Sequence, residues 1–501
     1  MIHPEPQADG FQAVPRGGRL LRADAVVVGS GPGGTACARA MALAGMSVVV
    51  IEEGPQKSRF APNQATTARY HMQEAGGIVA QGRALVPIAA GRGVGGGSLI
   101  NSAICFRTPE PVLDAWCEQL GDDRYRPAAL APVFELLEAK LGIGPVREAV
   151  AGRNNELIVQ GAKALGLPGG LLRRNTPHCA GCGLCNFGCP VSGKATVNLA
   201  LMPEAVNAGA VIQADTRITE VLVEGDRAVG VRGLARHPDT GEVGGRVEVR
   251  AETVVLSCGA IGTPRLLHTT GLADRLGPVG EGLHLHPGNA VLGICDERIE
   301  LWKGATQGAY FEDPALPGVL PHAFTAPPEA TAITVLPLVG DMKEAFALLP
   351  RLCGAVVMIS DKGEGRVGAF GDGRAKVTYS FDDHDVERIK QGMVTTARVL
   401  LEGGAKQVFG VVHGTPFCDS AEAMAQALDD RVIRDFTLYS SHPMSTCRMG
   451  QVVHPDGQTL ELEGLYIADA GIFPTSLGVN PQLTTMALGT VIGQGIADAR
   501  A

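Results

Sequence analysis

Apolar and polar positions fall into blocks along this chain, and most blocks suggest an element. Residues 24–54 (DAVVVGSGPGGTACARAMALAGMSVVVIEEG) run as an apolar strand, a glycine-rich turn, a helix of small residues and a second apolar strand ending on acid. Short continuous apolar runs between turns predict strands buried on both faces. From about 112 to 165 the pattern is helical, as in APVFELLEAKLG. Strand-like alternation returns at 210–223 (AVIQADTRITEVLV) and 246–256 (RVEVRAETVVL), followed by SCGAIGTPRLLHTTG, a turn into a short helix. Between 292 and 380 short runs such as ATAITVLPLV and RAKVTYSF predict an antiparallel sheet. Residues 382–404 predict an amphipathic helix with an acidic first turn, and the C-terminal stretch from GLYIADAG onward returns to strand, loop and helix.

This order predicts an α/β chain: a Rossmann-like nucleotide-binding domain on a parallel sheet, and a discontinuous α+β substrate domain on an antiparallel sheet. A flexible lead-in covers 1–20. The nucleotide domain takes 21–110, 195–298 and 437–501, and the substrate or cap domain takes 111–194 and 299–436. A length of 501 residues agrees with two domains, since single cores stop growing near about 250–300 residues.

The first block reads as a site for the ADP half of a dinucleotide. Gly29 makes the tight turn, Gly31 admits a pyrophosphate to the backbone, and Gly34 lets the helix pack on the strand. Glu52, 23 residues after Gly29, is placed to accept ribose hydroxyls. The block alone leaves NAD and FAD open. The glycine-dense stretch 91–111 (GRGVGGGSLINSAICFRTPEP) suits a loop against a ligand.

Charge and composition narrow the partners. The net charge of −9, without any Lys/Arg run, speaks against nucleic-acid binding. No apolar stretch approaches the roughly 18–20 residues of a spanning helix. The first 24 residues have no apolar core of a signal peptide, so a cytoplasmic enzyme is expected, with export beside a signal-bearing partner left open.

Several collinear blocks together resemble the glucose-methanol-choline (GMC) oxidoreductases, which are FAD-dependent. Ile51-Glu52-Glu53-Gly54 is similar to the family's Leu-Glu-Ala-Gly stretch, and Gly91 to Ser98, including Gly93 and Gly96 and followed by Asn101, resembles its glycine-rich signature. Gly259 to Leu267 resembles the second signature. Gly280 to Pro287 resembles the Gly-x-Asn-Leu-x-Asp-His-Pro stretch, with Gly282 and Leu285 in place of its Asn and Asp. SHPMSTCRMG (441–450) and Asn480-Pro481 resemble the catalytic region.

The resemblance implies FAD, a fold of the glucose-oxidase type and oxidation of an alcohol by hydride transfer to the flavin. A base must then take the hydroxyl proton, and a neutral imidazole suits that role at physiological pH. Twelve histidines leave the choice open on pattern alone; the resemblance selects His442, with Asn480 beside it to hydrogen-bond the substrate oxygen. It also brings backbone near Asp469 and Ala470 to the pyrophosphate. Asn480 and Pro481 read equally well as N-cap and first residue of a helix, whose positive end would face the flavin. No histidine lies between His71 and His178, which speaks against a histidyl-FAD bond near the glycine-rich signature.

Twelve cysteines divide into eight scattered ones, read as small buried hydrophobes, and four in HCAGCGLCNFGCPVSGK (178–194). Cys179, Cys182, Cys185 and Cys189 have the C-x2-C-x2-C-x3-C-P spacing of iron–sulfur ligation, with zinc, and disulfides or free structural thiols, as alternatives. A cluster would make the enzyme a dehydrogenase that passes electrons singly to a quinone, cytochrome or redox protein. The alternatives are an O2-using alcohol oxidase with a structural cysteine loop, and a non-redox flavoprotein resembling hydroxynitrile lyases. Only 4% of residues are aromatic, and the histidine-rich 284–287 stretch resembles the long-chain alcohol and sterol branch; both point to an apolar or bulky alcohol.

Overall fold

The computed structural model of the protein describes residues 18–56, 63–237 and 239–500; most of the expected lead-in lies outside them. The expected unit of strand, turn, helix and strand forms where the pattern places it. β1 (Arg19–Val28) lies parallel to β2 (Val48–Ile51), with α1 (Pro32–Leu43) between them in sequence. On its other side β1 pairs in parallel with the long strand Val243–Leu256, and Val211–Gln213 extends the sheet beyond β2. That long strand forks. Its first half pairs antiparallel with Arg227–Arg236, itself paired with Thr216–Glu224, while its last three residues pair in parallel with Leu465–Ile467.

The C-terminal helix Gln482–Asp498 crosses α1 at close range, because glycines remove the side chains between them. A Cβ on Gly489 would lie 2.5 Å from the Gly33 carbonyl oxygen, and one on Gly493 would lie 2.5 Å from that of Cys37. Val26, Val27, Val50, Leu256 and Ile467 are buried in the core beneath, which also takes Trp116, Leu130 and Phe134 from the helices Glu110–Leu120 and Pro127–Leu141. Each fully buried aliphatic or aromatic side chain contributes about 1.5–3 kcal/mol.

The expected antiparallel sheet is also present, with six strands in the order Ala405–Gly410, Gly288–Cys295, Leu352–Ile359, Val319–Ala323, Ala309–Phe311 and Gly169–Leu171. Period two sorts its side chains. Val291, Cys353, Ala355 and Val357 turn toward the amphipathic helix Asp383–Glu402, while Ala290, Leu292 and Leu352 join a second apolar cluster on the opposite face. Nearer the nucleotide domain, Gly288, His322 and Met358 share that opposite face and line a cavity.

One expected strand is a helix. ATAITVLPLV lies within the helix Pro328–Val339, although its β-branched residues favour a strand. Pro at the first position, Glu329 in the first turn and Gly340 at φ +71° just past the end are helix-boundary signals, and they prevail here. Among the described residues no helix is long and apolar enough to cross a membrane.

Candidate active site

A cavity of about 670 Å³ runs from the β1–α1 turn to the face of the antiparallel sheet, in the upper part of the usual range for ligand sites. Its floor is made by close backbone contacts. Gly29 has φ +101°, and a Cβ there would lie 2.2 Å from the Ser257 carbonyl oxygen. A Cβ on Gly34 would lie 2.1 Å from the Gly29 oxygen, so α1 can sit on the turn only with glycine at that position. A Cβ on Gly31 would meet nothing nearer than the Gly96 Cα at 4.0 Å. Gly96 has φ +52°, and its own Cβ would come within 2.6 Å of the Gly31 Cα. The two glycine-rich loops thus meet backbone to backbone, with the start of α1 at the cavity. No side chain caps that helix end, so its first amides are free for an anion. Gly93, at φ +111°, keeps the second loop turned toward the first. The cradle fits a dinucleotide.

Glu52 lines the cavity and ties its wall together. One carboxylate oxygen accepts from the Ser30 amide (3.1 Å) and hydroxyl (2.7 Å), the other from the amides of Gly54 and Gly93 (both 3.0 Å). These bonds occupy the roughly four acceptor positions of a carboxylate, so a ribose hydroxyl would have to share or displace one. Asp469 has a similar bracing role, accepting from Thr263 Oγ1 (2.5 Å), the Gly259 amide (3.0 Å) and the Gly471 amide (2.8 Å) beside Ala470. Burial raises the carboxyl pKa of both Glu52 and Asp469. Asn101 gives its side chain to the protein: Nδ2 donates to Gln482 Oε1 at 2.8 Å, and Oδ1 accepts from the Ala103 amide at 3.1 Å.

At the far end of the cavity stand His442 and Asn480. Asn480 Nδ2 lies 3.1 Å from His442 Nε2, and Asn480 Oδ1 is buried without a partner among the described residues. The expected cap is corrected here. The helix begins at Gln482, with Pro481 as its N-cap residue and the Pro481 carbonyl accepting from the Thr485 amide, so Asn480 lies one position outside and turns to His442. Ser440 holds the loop: its hydroxyl donates to the Leu285 carbonyl and accepts from the His442 amide.

Two further histidines line the same space. His286 Nε2 accepts from the Gly478 amide at 3.0 Å, its Nδ1 is buried without a partner, and its ring stands edge-on to that of His442 with centroids 5.4 Å apart. His322 comes from the strand Val319–Ala323. Burial lowers the pKa of His286 and His322 to about 4. It also lowers that of His442 well below the ordinary value, with His286 and His322 adding to the effect and the Asp361 carboxylate opposing it. Asp361 is buried and accepts from the amides of Leu285 and His286 and from the hydroxyls of Tyr379 and Ser476, which binds the 284–287 stretch to the loop before Asn480. His286 lies within a motif visible in the sequence. His322 and Asp361 carry no local signal at all.

The four clustered cysteines are free thiols around a void of about 10 Å³, near the size of one water. Gly181 and Gly193 amides donate to Cys179 Sγ and Cys189 Sγ, and Arg174 Nη2 donates to Cys185 Sγ at 3.1 Å. Lys194 donates to the carbonyls of Leu99, Asn101 and Cys185, joining this loop to the glycine-rich one. Burial raises the Cys185 pKa, but Arg174 and Lys194 outweigh it and hold the thiol below its ordinary range. Among the described residues no group of three or more His, Cys, Asp or Glu is arranged to hold a metal ion, so the expectation of an iron–sulfur site finds no support in this arrangement. The spacing gathers the thiols, and amide and guanidinium donors of the protein reach the sulfurs of Cys179, Cys185 and Cys189.

Comparison with known proteins agrees with the geometry. Residues 68–288 and 366–489 match the GMC oxidoreductase family, and residues 24–81 match an FAD binding domain. An uncharacterized GMC-type oxidoreductase of Mycobacterium tuberculosis is 34% identical over 483 residues, covering 94% of this chain and 75% of that protein. A long-chain-alcohol oxidase of Arabidopsis thaliana is 29% identical over 95% of this chain and 69% of its own. In fold the chain is similar to pyridoxine 4-oxidase from Mesorbium loti, with a TM-score of 0.71 at 19% identity over 94% of this chain and 98% of that one.

Proposed function

The chain belongs to the GMC oxidoreductase family, and on that premise we propose that it oxidises an alcohol to the aldehyde or ketone, with FAD as hydride acceptor, His442 as base and dioxygen as final acceptor. One observation carries the reading. His442 and Asn480 bond to each other at the end of a cavity that continues into a dinucleotide cradle. A substrate hydroxyl can replace that bond, donating its proton to His442 Nε2 while its oxygen accepts from Asn480 Nδ2. Burial keeps His442 neutral, so its lone pair is available throughout the neutral range.

When bound, FAD supplies the two-electron acceptor. The chain's part is to hold it, with the pyrophosphate at the Gly31 turn and the start of α1, and to draw the hydroxyl proton onto Nε2. In sum the alcohol loses a proton and a hydride, and dioxygen leaves as hydrogen peroxide. The names of the Arabidopsis relative and of the structural neighbour, both oxidases, support dioxygen. The other route for the electrons, through a cluster at Cys179 to Cys189, rests on spacing alone.

The test is anaerobic mixing of the purified flavoprotein with a panel of alcohols, followed by absorbance of the flavin. Bleaching by an alcohol, and peroxide formation when air is admitted, is the expected result. A flavin that stays oxidised with every alcohol while the protein cleaves a cyanohydrin would replace this reading with a lyase.

A further inference from the structure

The substrate end of the cavity holds an acceptor that the chemistry above does not use. His322 is 4% exposed and shares a sheet face with Met358 and Gly288, lining the same space as His442. Its Nδ1 lies 3.2 Å from the carbonyl oxygen of Leu320 on its own strand. A carbonyl only accepts, so Nδ1 carries the proton and Nε2 is left with a lone pair. No hydrogen-bond partner meets Nε2 among the described residues, and the ring borders the cavity. Gln307, Tyr439 and Ser441 bring further polar groups to the lining of the same cavity. A purely hydrocarbon tail lying here would strand that acceptor.

We propose that His322 is a specificity-determining residue whose Nε2 accepts a hydrogen bond from a second donor group on the substrate, so that the preferred alcohols carry a further hydroxyl besides the one that reacts. This rests on the alcohol-oxidising reading and departs from the sequence expectation of an apolar substrate. Fixing Nδ1 as donor is what gives the site its preference: an imidazole in the other tautomer would have offered a donor and selected a carbonyl or ether instead. Burial, which holds this imidazole neutral, preserves the acceptor across the working pH range.

The experiment compares straight-chain α,ω-diols with primary monoalcohols of equal length by anaerobic flavin reduction, in wild type, His322→Leu and His322→Gln. Wild type is expected to prefer the diol at the chain length that reaches from His442 to His322. His322→Leu is expected to lower the ratio of kcat/KM for that diol to kcat/KM for the monoalcohol by about tenfold, and His322→Gln, which keeps an acceptor oxygen, to recover part of that ratio. The absorbance of bound FAD in each variant reports that the fold is intact. No preference for any diol in wild type, or a preference that survives in His322→Leu, overturns the proposal. If the monoalcohols still bleach the flavin in those cases, alcohol oxidation stands and only the role of His322 falls. If no alcohol bleaches it, both fall together.

Discussion

Two buried polar regions of this protein invite comparison, because both stand out as sequence motifs and both lean on the glycine-rich loop ending at Asn101. At the end of the cavity, His442, Asn480, His286 and His322 are neutral groups with unspent hydrogen-bonding capacity and open space before them. In the cysteine loop, Arg174 and Lys194 are cations, each 1% exposed, and the space between the thiols is about that of one water. One region offers room and free lone pairs, the other charge and closure. Spacing in a sequence says which side chains lie together. Whether they can act depends on room and on unmet bonds, which spacing does not carry.

The sharpest test of that contrast sets one residue from each region side by side. His442→Ala should slow anaerobic flavin reduction by about 10²–10⁴-fold, the usual worth of a positioned general base, while bound FAD is retained. Cys185→Ser should leave the rate within about threefold, since the loop meets the flavin cradle through Asn186 and through carbonyls held by Lys194 and Arg174, none of which the substitution removes. Stopped-flow reduction of both variants decides it, and a comparable collapse in Cys185→Ser with FAD still bound would erase the distinction.

Acid should also separate the regions, because the cavity keeps its imidazoles neutral by burial. His286 and His322 each have their pKa lowered from 6.5 to about 4. Between those values the unfolded chain binds protons that the folded one refuses, so the stability present above pH 6.5 is lost as the pH falls toward about 4. Each imidazole contributes about 3 kcal/mol to that loss. Urea unfolding at neutral pH and near pH 4.5 should show a smaller acid loss in His322→Gln than in wild type. An equal loss in the two would mean that His322 is not the buried neutral group described.

Asp361 tests the same region more finely. Its carboxylate is the charge that opposes the lowering of His442, and its bonds to the Leu285 and His286 amides fix the neighbouring loop. Activity requires neutral His442 and therefore falls as the pH drops through the His442 pKa. Removing a nearby negative charge lowers that pKa further. In Asp361→Asn the acid limb of kcat/KM should move to lower pH, with kcat down by about tenfold from looser positioning. An unmoved limb would leave Asp361 with a purely structural role.

How much of this was legible in the sequence follows from how local each feature is. β1, α1 and β2 were readable because apolar runs and glycines act on their immediate neighbours, and the steric demands at Gly29 and Gly34 are met within the same unit and at Ser257. The helix Pro328–Val339 was misread because its β-branched interior competes with signals at its ends. Asn480 was misplaced by one position, since a cap and a contact with His442 look alike in an Asn-Pro pair. His442 came from family resemblance rather than from pattern. His322 and Asp361 acquire meaning only when a strand and a loop of the antiparallel sheet meet the segments at 284–287 and 476–480, and no local rule reports that meeting.

The last prediction concerns the closed region, where the smallest change is expected. Among the described residues Arg174 and Lys194 bond no carboxylate, and Arg174 Nη1 has no hydrogen-bond partner. Cys185, its thiol pulled below its ordinary pKa by these two cations, meets that charge through the bond from Arg174 Nη2 to its sulfur. These bonds suffice for a brace: Arg174 is fixed by Ser102 and Cys185, Lys194 by three carbonyls, and the loop thereby holds the Leu99–Asn101 segment in place. Protein purified without exposure to air should then contain well under one iron or zinc per chain, show only the flavin spectrum, and keep its rate of flavin reduction when Cys182 is changed to Ser. Stoichiometric iron with a brown absorbance lost in Cys182→Ser would reverse the comparison. The two buried cations would then be neutralising an anionic cluster, and the closed region would be the way out for the electrons that the open one takes in.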